Sequence, residues 1–328
     1  MTLRALSFGS GWGQHAARVF AADPRTHLGG LVGRGSARSK ALANELGVPI
    51  FGDAAEAISV VRPEIASVSV HERENVALVE SLLSTGCHVL CSHPVAPSSA
   101  QVRALLDRAK NAGVVAATDY TLRLQPAFIA ITEARKSTGA LLRLSMESPG
   151  STSVMAVDLA LALAGPVEVV RSSKRYPAEL GRRPLETPRA FAPTFLLEHH
   201  SGCVTVITPV SHADPSCAYR IVLSMEGARV EASLPAGSVD WIAYRGSGRV
   251  EKKCLQQALP SMAPHDLYGG AMQNLVERFI SACTREGPVH AGLEEEAQVS
   301  EVWAALRASA RNNSEVRLNL SNRYGGSP

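Results

Sequence analysis

The sequence predicts an α/β protein that contains two kinds of sheet. Over residues 1–120, short apolar runs alternate with longer amphipathic stretches. Strands that are separated by helices in this way form a doubly wound parallel sheet covered on both faces. Beyond about residue 140 the alternation stops and hairpin turns follow, and hairpins require antiparallel pairing. We therefore expect a first domain at residues 1–120 and, at residues 121–328, an α+β domain with an open, mostly antiparallel sheet.

Five short runs rich in Val, Leu and Ile predict the strands of the first domain: Leu3–Phe8, Leu28–Val32, Ile65–Val70, His88–Cys91 and Val114–Thr118. Between them lie stretches with helical periodicity, including Arg73–Thr85 and Ser98–Ala112. Gly86 and Gly113 directly follow these two stretches, at the position where a left-handed helix cap favours glycine. The two glycines therefore support helix ends at residues 85 and 112.

In the second domain, Ala140–Glu147 predicts a strand, and the apolar stretch Ser153–Ala164 predicts a helix that ends before Gly165. Three hairpins are expected, with turns at Ser201-Gly202, Glu226-Gly227 and Gly246-Ser247-Gly248. Two late helices are predicted at Gly269–Arg285 and Leu293–Asn312. The acidic start of the second, Glu294 to Glu296, suits the positive end of the helix dipole. The segment Pro177–Pro193 contains four prolines and predicts a mobile loop.

Composition and charge exclude several classes of protein. The chain of 328 residues has 33 basic and 30 acidic residues, a net charge of +3, which is too small an excess for nucleic acid as the main partner. No apolar run reaches the roughly 18–20 residues of a membrane span, and the N-terminus lacks the layout of a signal peptide. The six cysteines form no CxxC pairs, which disfavours a disulfide framework and a metal site. We expect a cytoplasmic protein that binds no metal.

A glycine-rich turn follows the first predicted strand. It consists of Gly9, Ser10, Gly11, Trp12 and Gly13, and the pattern GxGxG departs from the usual GxGxxG in either register. Dinucleotide-binding turns need glycine because the backbone must turn tightly and let the pyrophosphate approach a helix N-terminus. The position of the turn, between the first strand and the first helix of an alternating α/β run, predicts a Rossmann domain. A purely structural glycine turn is the alternative.

The end of the second predicted strand indicates which dinucleotide binds. NAD sites usually place an acid there for the ribose hydroxyls, whereas NADP sites need a cation and hydroxyls for the 2′-phosphate. This chain has Arg34 and Ser36 there and no acid before Glu45. A guanidinium can pair with phosphate and a serine hydroxyl can donate to it, so we expect NADPH. Ser36 also suits the N-cap of a helix.

The order of these elements resembles the glucose–fructose oxidoreductase and inositol dehydrogenase superfamily, in which a Rossmann domain precedes a domain with an open antiparallel sheet. That superfamily usually has a Glu-Lys-Pro motif after the fourth strand, with the lysine near the nicotinamide and the sugar hydroxyl. The corresponding residues here are Ser92, His93 and Pro94. The catalytic lysine of the sugar enzymes is therefore missing.

The His-Pro pair is similar to that of the thiazolinyl imine reductases, a branch of the superfamily. The first turn and the segment around Tyr120 resemble that branch too, whereas Ser92 and the Leu122-Arg123 pair depart from the pattern. The resemblance implies NADPH-dependent reduction of a thiazoline in nonribosomal, siderophore-type biosynthesis. The thiazoline would be a phosphopantetheine thioester on the carrier domain of a peptide synthetase. It also implies Pro94 as a cofactor-binding residue, and homodimers are common in the superfamily.

The candidate catalytic residues are His93 and Tyr120. Both follow strands at the edge where ligands lie in open α/β sheets. Reduction of a C=N bond needs a proton at nitrogen, which Tyr120 can donate while His93 orients it or relays protons. Either residue can be the acid, and structural roles for both are the alternative. Two other functions remain open: an oxidoreductase of the superfamily acting on a sugar, cyclitol or free imine, and a non-catalytic NADP-binding regulator.

Overall fold

The computed structural model describes residues 2–149, 153–173, 193–210, 217–245, 249–260 and 267–318. The chain divides into two compact units, each built around its own sheet. The first unit consists of Met1–Thr121 and Gly269–Ser300, and the second consists of Leu122–Tyr268 and Glu301–Pro328. A parallel sheet in the first unit and a mostly antiparallel one in the second confirm the predicted fold class.

Six strands are described in the first unit: β1 (Leu3–Phe8), β2 (Thr26–Val32), β3 (Ile50–Phe51), β4 (Ile65–Val68), β5 (His88–Cys91) and β6 (Ala116–Thr118). They form a parallel sheet in the order β3-β2-β1-β4-β5-β6. The order reverses direction between β1 and β4. In open α/β sheets ligands bind beyond the carboxyl ends of the strands at such a reversal, so this edge is where a site is expected.

The helices between these strands are α1 (Gln14–Ala22), α2 (Ala37–Leu46), α3 (Ala54–Val61), α4 (Glu72–Ser84) and α5 (Ser99–Ala112). Every residue of β4 and the last three residues of β5 are buried, as expected for strands with helices on both faces of the sheet. Gly113 ends α5 with φ at 67°, and the N–H of Val114 bonds back to the carbonyl of Ala109 at 3.0 Å. Val114 is thus part of the helix cap, which is why β6 begins later than predicted.

Residues 269–300 belong to the first unit, although the predicted domain limits place them in the second. They contain α8 (Gly269–Cys283) and the first part of α9 (Leu293–Asn312). Helix α8 packs against α1, and the Thr118 N–H donates to the carbonyl of Ala291 at 2.9 Å. Partners so far apart along the chain leave no trace in local periodicity, so the sequence carried no sign of this return.

Nine strands are described in the second unit: β7 (Leu141–Pro149), β8 (Val167–Ser172), β9 (Phe195–His199), β10 (Val204–Val210), β11 (Tyr219–Met225), β12 (Ala228–Leu234), β13 (Val239–Arg245), β14 (Arg249–Gln256) and β15 (Val316–Arg317). They form one sheet in the order β14-β13-β12-β11-β7-β10-β9-β8-β15. Neighbours in it are antiparallel except β7 and β10. Helix α6 (Pro126–Lys136) packs on β12, β13 and β14, and α7 (Ser153–Ala164) packs on β7 and β10.

Two of the predicted hairpins are confirmed: β9 and β10 pair around Ser201-Gly202, and β11 and β12 pair around Glu226-Gly227. The third turn, at residues 246–248, lies outside the described residues, while β13 and β14 on either side of it pair antiparallel. The predicted loop Pro177–Pro193 also lies outside them, apart from Pro193. In the described ranges, no helix is long and apolar enough to cross a membrane.

A buried ion pair stabilises the second unit. Asp158 lies on the apolar helix α7 and its side chain has no exposed surface. The guanidinium of Arg123 donates to both carboxylate oxygens, from Nε to Oδ2 at 3.1 Å and from Nη2 to Oδ1. A fork of this kind satisfies a buried carboxylate with two charge-assisted hydrogen bonds. The carboxylate of Asp158 therefore has a structural role.

We predict that Asp158→Ala lowers the free energy of unfolding by about 3–5 kcal/mol, because it leaves the Arg123 guanidinium buried and without its partner carboxylate. Urea unfolding followed by circular dichroism measures the change. Glu133→Gln is the matched control, since Glu133 pairs with Lys136 on the exposed face of α6 and such pairs contribute at most about 1 kcal/mol. Equal losses in the two variants would contradict a special role for the buried pair.

Candidate active site

The glycine turn joins β1 to α1, and its three glycines have different surroundings. Gly9 has φ at 90°, and a Cβ there would lie 2.2 Å from the carbonyl oxygen of Ser69. A Cβ on Gly13 would lie 2.6 Å from the carbonyl oxygen of Gly9, whereas one on Gly11 would meet no atom within 4 Å. Gly9 therefore permits the tight turn and Gly13 the close packing of helix on strand, while Gly11 leaves the outer side of the turn open.

A cleft of about 730 Å³ lies beside this turn. Its walls come from the carboxyl ends of β1, β2 and β4 and from helices α3 and α4, so it lies where the strand order reverses. Four of the predicted cofactor-binding residues line it: Gly9, Ser10, Arg34 and Ser36. The cleft has the position in which a Rossmann domain holds the adenosine half of a dinucleotide.

The charges in this cleft are mixed. Arg34 is 85% exposed, and its Nη2 donates to Oε1 of Glu74 at 2.9 Å. Asp53 also lines the cleft, but its carboxylate caps α3 by accepting the Glu56 N–H at 2.8 Å. Ser36 caps α2, accepting the Ser39 N–H at 3.2 Å. Glu74 lies on α4, 40 residues after Arg34, so the residues around the end of β2 give no sign that this acid is nearby.

A buried cluster of three side chains lies at the ends of β5 and β6 and at the start of α9. The hydroxyl of Tyr120 donates to Oε2 of Glu296 at 2.5 Å, and Nδ1 of His93 lies 2.6 Å from the same oxygen. The side chains of Tyr120 and Glu296 are fully buried and that of His93 is 6% exposed. The structure thus brings together the two predicted catalytic residues and adds a carboxylate that the sequence analysis did not assign to the site.

The contacts of Glu296 determine the direction of each hydrogen bond in the cluster. Its other oxygen, Oε1, accepts the Val95 N–H at 3.2 Å and the Ser300 hydroxyl at 3.3 Å. Because a carboxylate only accepts, both Tyr120 and Nδ1 of His93 are donors to it. Among the described residues, none hydrogen-bonds to Nε2 of His93. The geometry therefore leaves Nε2 as the atom of this cluster that can exchange a proton with a ligand.

Comparison with known proteins agrees with this placement. Residues 4–120 match the model of the GFO_IDH_MocA oxidoreductase family, which has an NAD-binding Rossmann fold. The glycine turn thus lies in a segment that matches the NAD-binding Rossmann fold of this family.

Three similar proteins extend over most of the chain. It is 25% identical over 313 residues to a D-xylose 1-dehydrogenase (NADP(+)) of Haloferax volcanii, covering 88% of this chain and 91% of the relative. An Agrobacterium radiobacter oxidoreductase, solved with NAD⁺, L-tartaric acid and magnesium, is 14% identical with a TM-score of 0.80, and the match covers 97% of this chain and 98% of that one. UDP-N-acetylglucosamine 3-dehydrogenase of Acidithiobacillus ferrooxidans is 19% identical with a TM-score of 0.76, over 94% and 98% of the two chains. At such identities the two solved structures support the fold alone.

The loop around His93 follows β5, and the sequence has no lysine between Lys40 and Lys110. Several contacts hold this loop. Ser92 and Ser69 share a hydrogen bond of 2.6 Å, and the Nδ2 of Asn75 donates to the carbonyl of Pro94 at 3.2 Å. The His93-Pro94 peptide is cis. The Ser-His-Pro segment is thus held by side chains from the neighbouring segments at the carboxyl edge of the sheet.

Glu296 is the main residue that sequence reasoning missed. Three successive glutamates lie in the first turn of α9, and the sequence predicts that they interact favourably with the helix dipole. In the structure, Glu294 pairs with Lys110 at 2.6 Å and Glu295 accepts the Gly292 N–H at 2.9 Å. Only Glu296 of the three is buried. The signal available in the sequence was the spacing of Glu296 along the helix. It lies one turn after the apolar Leu293, next to Ala297 and one turn before Ser300.

Four predicted cofactor-binding residues lie outside the cleft lining: Gly11, Gly13, Trp12 and Pro94. Pro94 is exposed beside the buried cluster. Trp12, on the glycine turn, is 36% exposed, and its indole N–H donates to the carboxylate of Asp119. Trp12 and Pro94 thus lie toward the ends of β5 and β6.

The surroundings of the glycines predict two different defects. In Gly9→Ala, the left-handed backbone and the collision with Ser69 should lower the free energy of unfolding by about 1–3 kcal/mol or more. In Gly11→Ala, the methyl group enters open space, so stability should change by less than about 0.5 kcal/mol while NADPH binding weakens. Thermal unfolding of the ligand-free protein and calorimetric titration measure the two effects. A Gly11→Ala variant that binds NADPH at full strength would show that the pyrophosphate does not approach this side of the turn.

Proposed function

We propose that this protein is an NADPH-dependent reductase of a C=N bond. The proposed substrate is a thiazoline held as a phosphopantetheine thioester on the carrier domain of a peptide synthetase, and the product is the thiazolidine. The observation that carries the proposal is the His93–Glu296–Tyr120 cluster, which stands where the sugar enzymes of the family have lysine. The thiazoline itself is supported by the resemblance of the His-Pro motif, the first turn and the Tyr120 segment to thiazolinyl imine reductases.

The proposed proton donor is His93. When bound, the reduced dinucleotide supplies hydride to the carbon of the C=N bond, and the nitrogen then needs a proton. Glu296 accepts the Nδ1–H of His93 and so fixes the orientation of the ring, which would present Nε2 to the substrate nitrogen. Nε2 gives up its proton to the substrate nitrogen, and the neutral ring keeps its Nδ1–H on Glu296. A histidine oriented by a carboxylate in this way is a common general acid–base arrangement.

Tyr120 has a positioning role in this proposal. Its hydroxyl donates to Glu296, which commits that proton to the carboxylate and leaves the hydroxyl oxygen 3.4 Å from Nδ1 of His93. With Val95 and Ser300, it fixes the carboxylate that orients the imidazole. Of the two assignments that the sequence leaves open, with either Tyr120 or His93 as the acid, the proposal adopts His93.

The proposed cofactor is NADPH, and Arg34 and Ser36 are the proposed partners of its 2′-phosphate. The NADP(+) in the name of the Haloferax relative agrees with this, while the Agrobacterium structure contains NAD⁺. Glu74 competes for Arg34, and a phosphate would have to displace it. The adenosine half would lie in the 730 Å³ cleft.

The remaining parts of the proposal concern partners and location. We propose a homodimer, which the family resemblance supports, with the carrier domain as a transient partner. A cytoplasmic location is supported by the reduced, buried thiols of Cys87, Cys91 and Cys203. Burial raises the pKa of the Cys87 and Cys91 thiols, so both are kept as unreactive thiols in the core.

A second candidate function is oxidation of a sugar hydroxyl with NADP⁺. The activity in the name of the Haloferax relative favours it. In that direction Nε2 of His93 would accept the hydroxyl proton while hydride leaves the carbon. The two functions use the same cluster in opposite directions and differ in substrate.

For the cofactor, we predict that NADPH binds more tightly than NADH. Arg34→Ala should weaken NADPH roughly tenfold and leave NADH nearly unchanged, because a charge-assisted contact contributes about 1.5–3 kcal/mol and Arg34 is highly exposed. Glu74→Gln is the matched variant: it frees Arg34 and should tighten NADPH binding without affecting NADH. Titration calorimetry measures the affinities of the unmodified protein and both variants for the two dinucleotides, and equal affinities of the unmodified protein for NADPH and NADH would refute the preference.

For the reaction, NADPH absorbance should fall with a thiazoline thioester mimic. His93→Asn should reduce kcat by about 10²–10⁴-fold, the usual contribution of a general acid, with NADPH affinity unchanged. Tyr120→Phe keeps the buried ring and should cost less. A larger loss in Tyr120→Phe than in His93→Asn would make tyrosine the acid. NADP⁺ reduction with D-xylose or other sugars, and none with the thiazoline, would establish the second candidate; dinucleotide binding without turnover of either would favour a regulator.

A further inference from the structure

The proposed mechanism makes no use of Asp119, a buried carboxyl group next to Tyr120 in the chain. Its Oδ1 accepts the Thr121 N–H at 3.2 Å and the Thr121 hydroxyl. Its Oδ2 accepts the indole N–H of Trp12, 107 residues away. Burial raises the pKa of Asp119, and this effect outweighs the hydrogen bonds from Thr121 and Trp12, which act to lower the pKa. One of the groups that stabilise this buried carboxylate therefore comes from the cofactor-binding turn.

Trp12 is unusual among the tryptophans of the chain in its exposure. About a third of its surface is accessible, although its N–H is anchored on a buried group. Its ring also meets the edge of His15 with 5.3 Å between centroids. A large aromatic side chain that is both anchored and partly exposed is suited to contact with a planar ligand, because its orientation is already determined before binding.

The position of Asp119 indicates which part of the dinucleotide Trp12 would meet. The adenosine cleft lies beyond the ends of β1, β2 and β4, whereas the Asp119 N–H donates to the carbonyl of Cys91 at 2.8 Å, at the end of β5 and two residues before His93. The indole thus extends from the turn toward the end of the sheet that carries the acid cluster. The half of the dinucleotide that delivers hydride must reach this end.

We infer that Trp12 forms a wall of the nicotinamide half of the dinucleotide site and that Asp119 is the positioning residue that orients its indole. The inference rests on the proposed function in requiring that a dinucleotide binds with its nicotinamide beside the His93 cluster. It assigns Trp12 a specific contact and gives Asp119 a role distinct from that of the neighbouring Tyr120. The adenosine half is unaffected by the pair.

The test compares two ligands by titration calorimetry: NADPH, and adenosine 2′,5′-bisphosphate, which carries only the adenosine half. Trp12→Ala should weaken NADPH by roughly 3- to 10-fold, the range for one aromatic contact, and leave the bisphosphate unchanged. Asp119→Asn and Trp12→Phe, which keep the shapes but alter the hydrogen bond, should give smaller losses of the same kind. Thr121→Val is the matched control, because it removes the other side-chain donor to Asp119 and should leave both affinities unchanged.

Tryptophan fluorescence provides a second readout that a purely structural role would not alter. NADPH should quench the emission of the unmodified protein more strongly than that of Trp12→Phe, since Trp241 and Trp303 remain in both. Unchanged NADPH affinity in Trp12→Ala, equal weakening of both ligands, or identical quenching in Trp12→Phe would each overturn the inference. Dinucleotide binding with the expected losses but without thiazoline reduction would count against the proposed function alone, and a protein that binds no dinucleotide would end both.

Discussion

One buried carboxylate determines the geometry of the candidate active site. Glu296 has no exposed surface, and a charge in that position must be satisfied by donors because its desolvation costs several kcal/mol. It accepts from Tyr120, His93 and the backbone of Val95. These donors belong to two segments and Glu296 to a third, and the three meet only in the folded protein. The loop after β5, the residue after β6 and the start of α9 are therefore positioned together, and the orientation of the imidazole follows from them.

In the proposed function, the same cluster would transfer the proton without a lysine. A lysine ammonium is a flexible point charge with three donors, whereas an imidazole fixed through Nδ1 presents one atom in one direction. In the arrangement described, Nε2 of His93 is that atom. A site of this kind is suited to giving or taking a single proton at a defined position. This is the requirement shared by imine reduction and hydroxyl oxidation, and it is why the substrate, and not the cluster, separates the two candidates.

Much of the fold could be predicted because it depends on local patterns. Alternation of short apolar runs and amphipathic stretches indicated the parallel sheet, and Gly113 marked the end of α5 within the chain itself. The return of residues 269–300 to the first unit escaped because α8 meets α1 across some 250 residues. Likewise, Glu74 of α4 pairs with Arg34, and the residues around β2 do not indicate this contact. In both cases the decisive contact joins segments that no periodicity relates.

The sequence by itself determined the order of strands and helices, the glycine turn after β1 and the presence of histidine where lysine is usual. These features depend on which residue type occupies each position, and that can be read directly from the sequence. Only the tertiary structure decided which of three successive glutamates enters the site, which glycines the turn requires and that Trp12 is anchored on Asp119. The physical reason is that burial and hydrogen-bond partners are set by packing between distant segments. A run of acids on a helix looks the same along the chain whether it faces water or, like Glu296, a histidine 203 residues away.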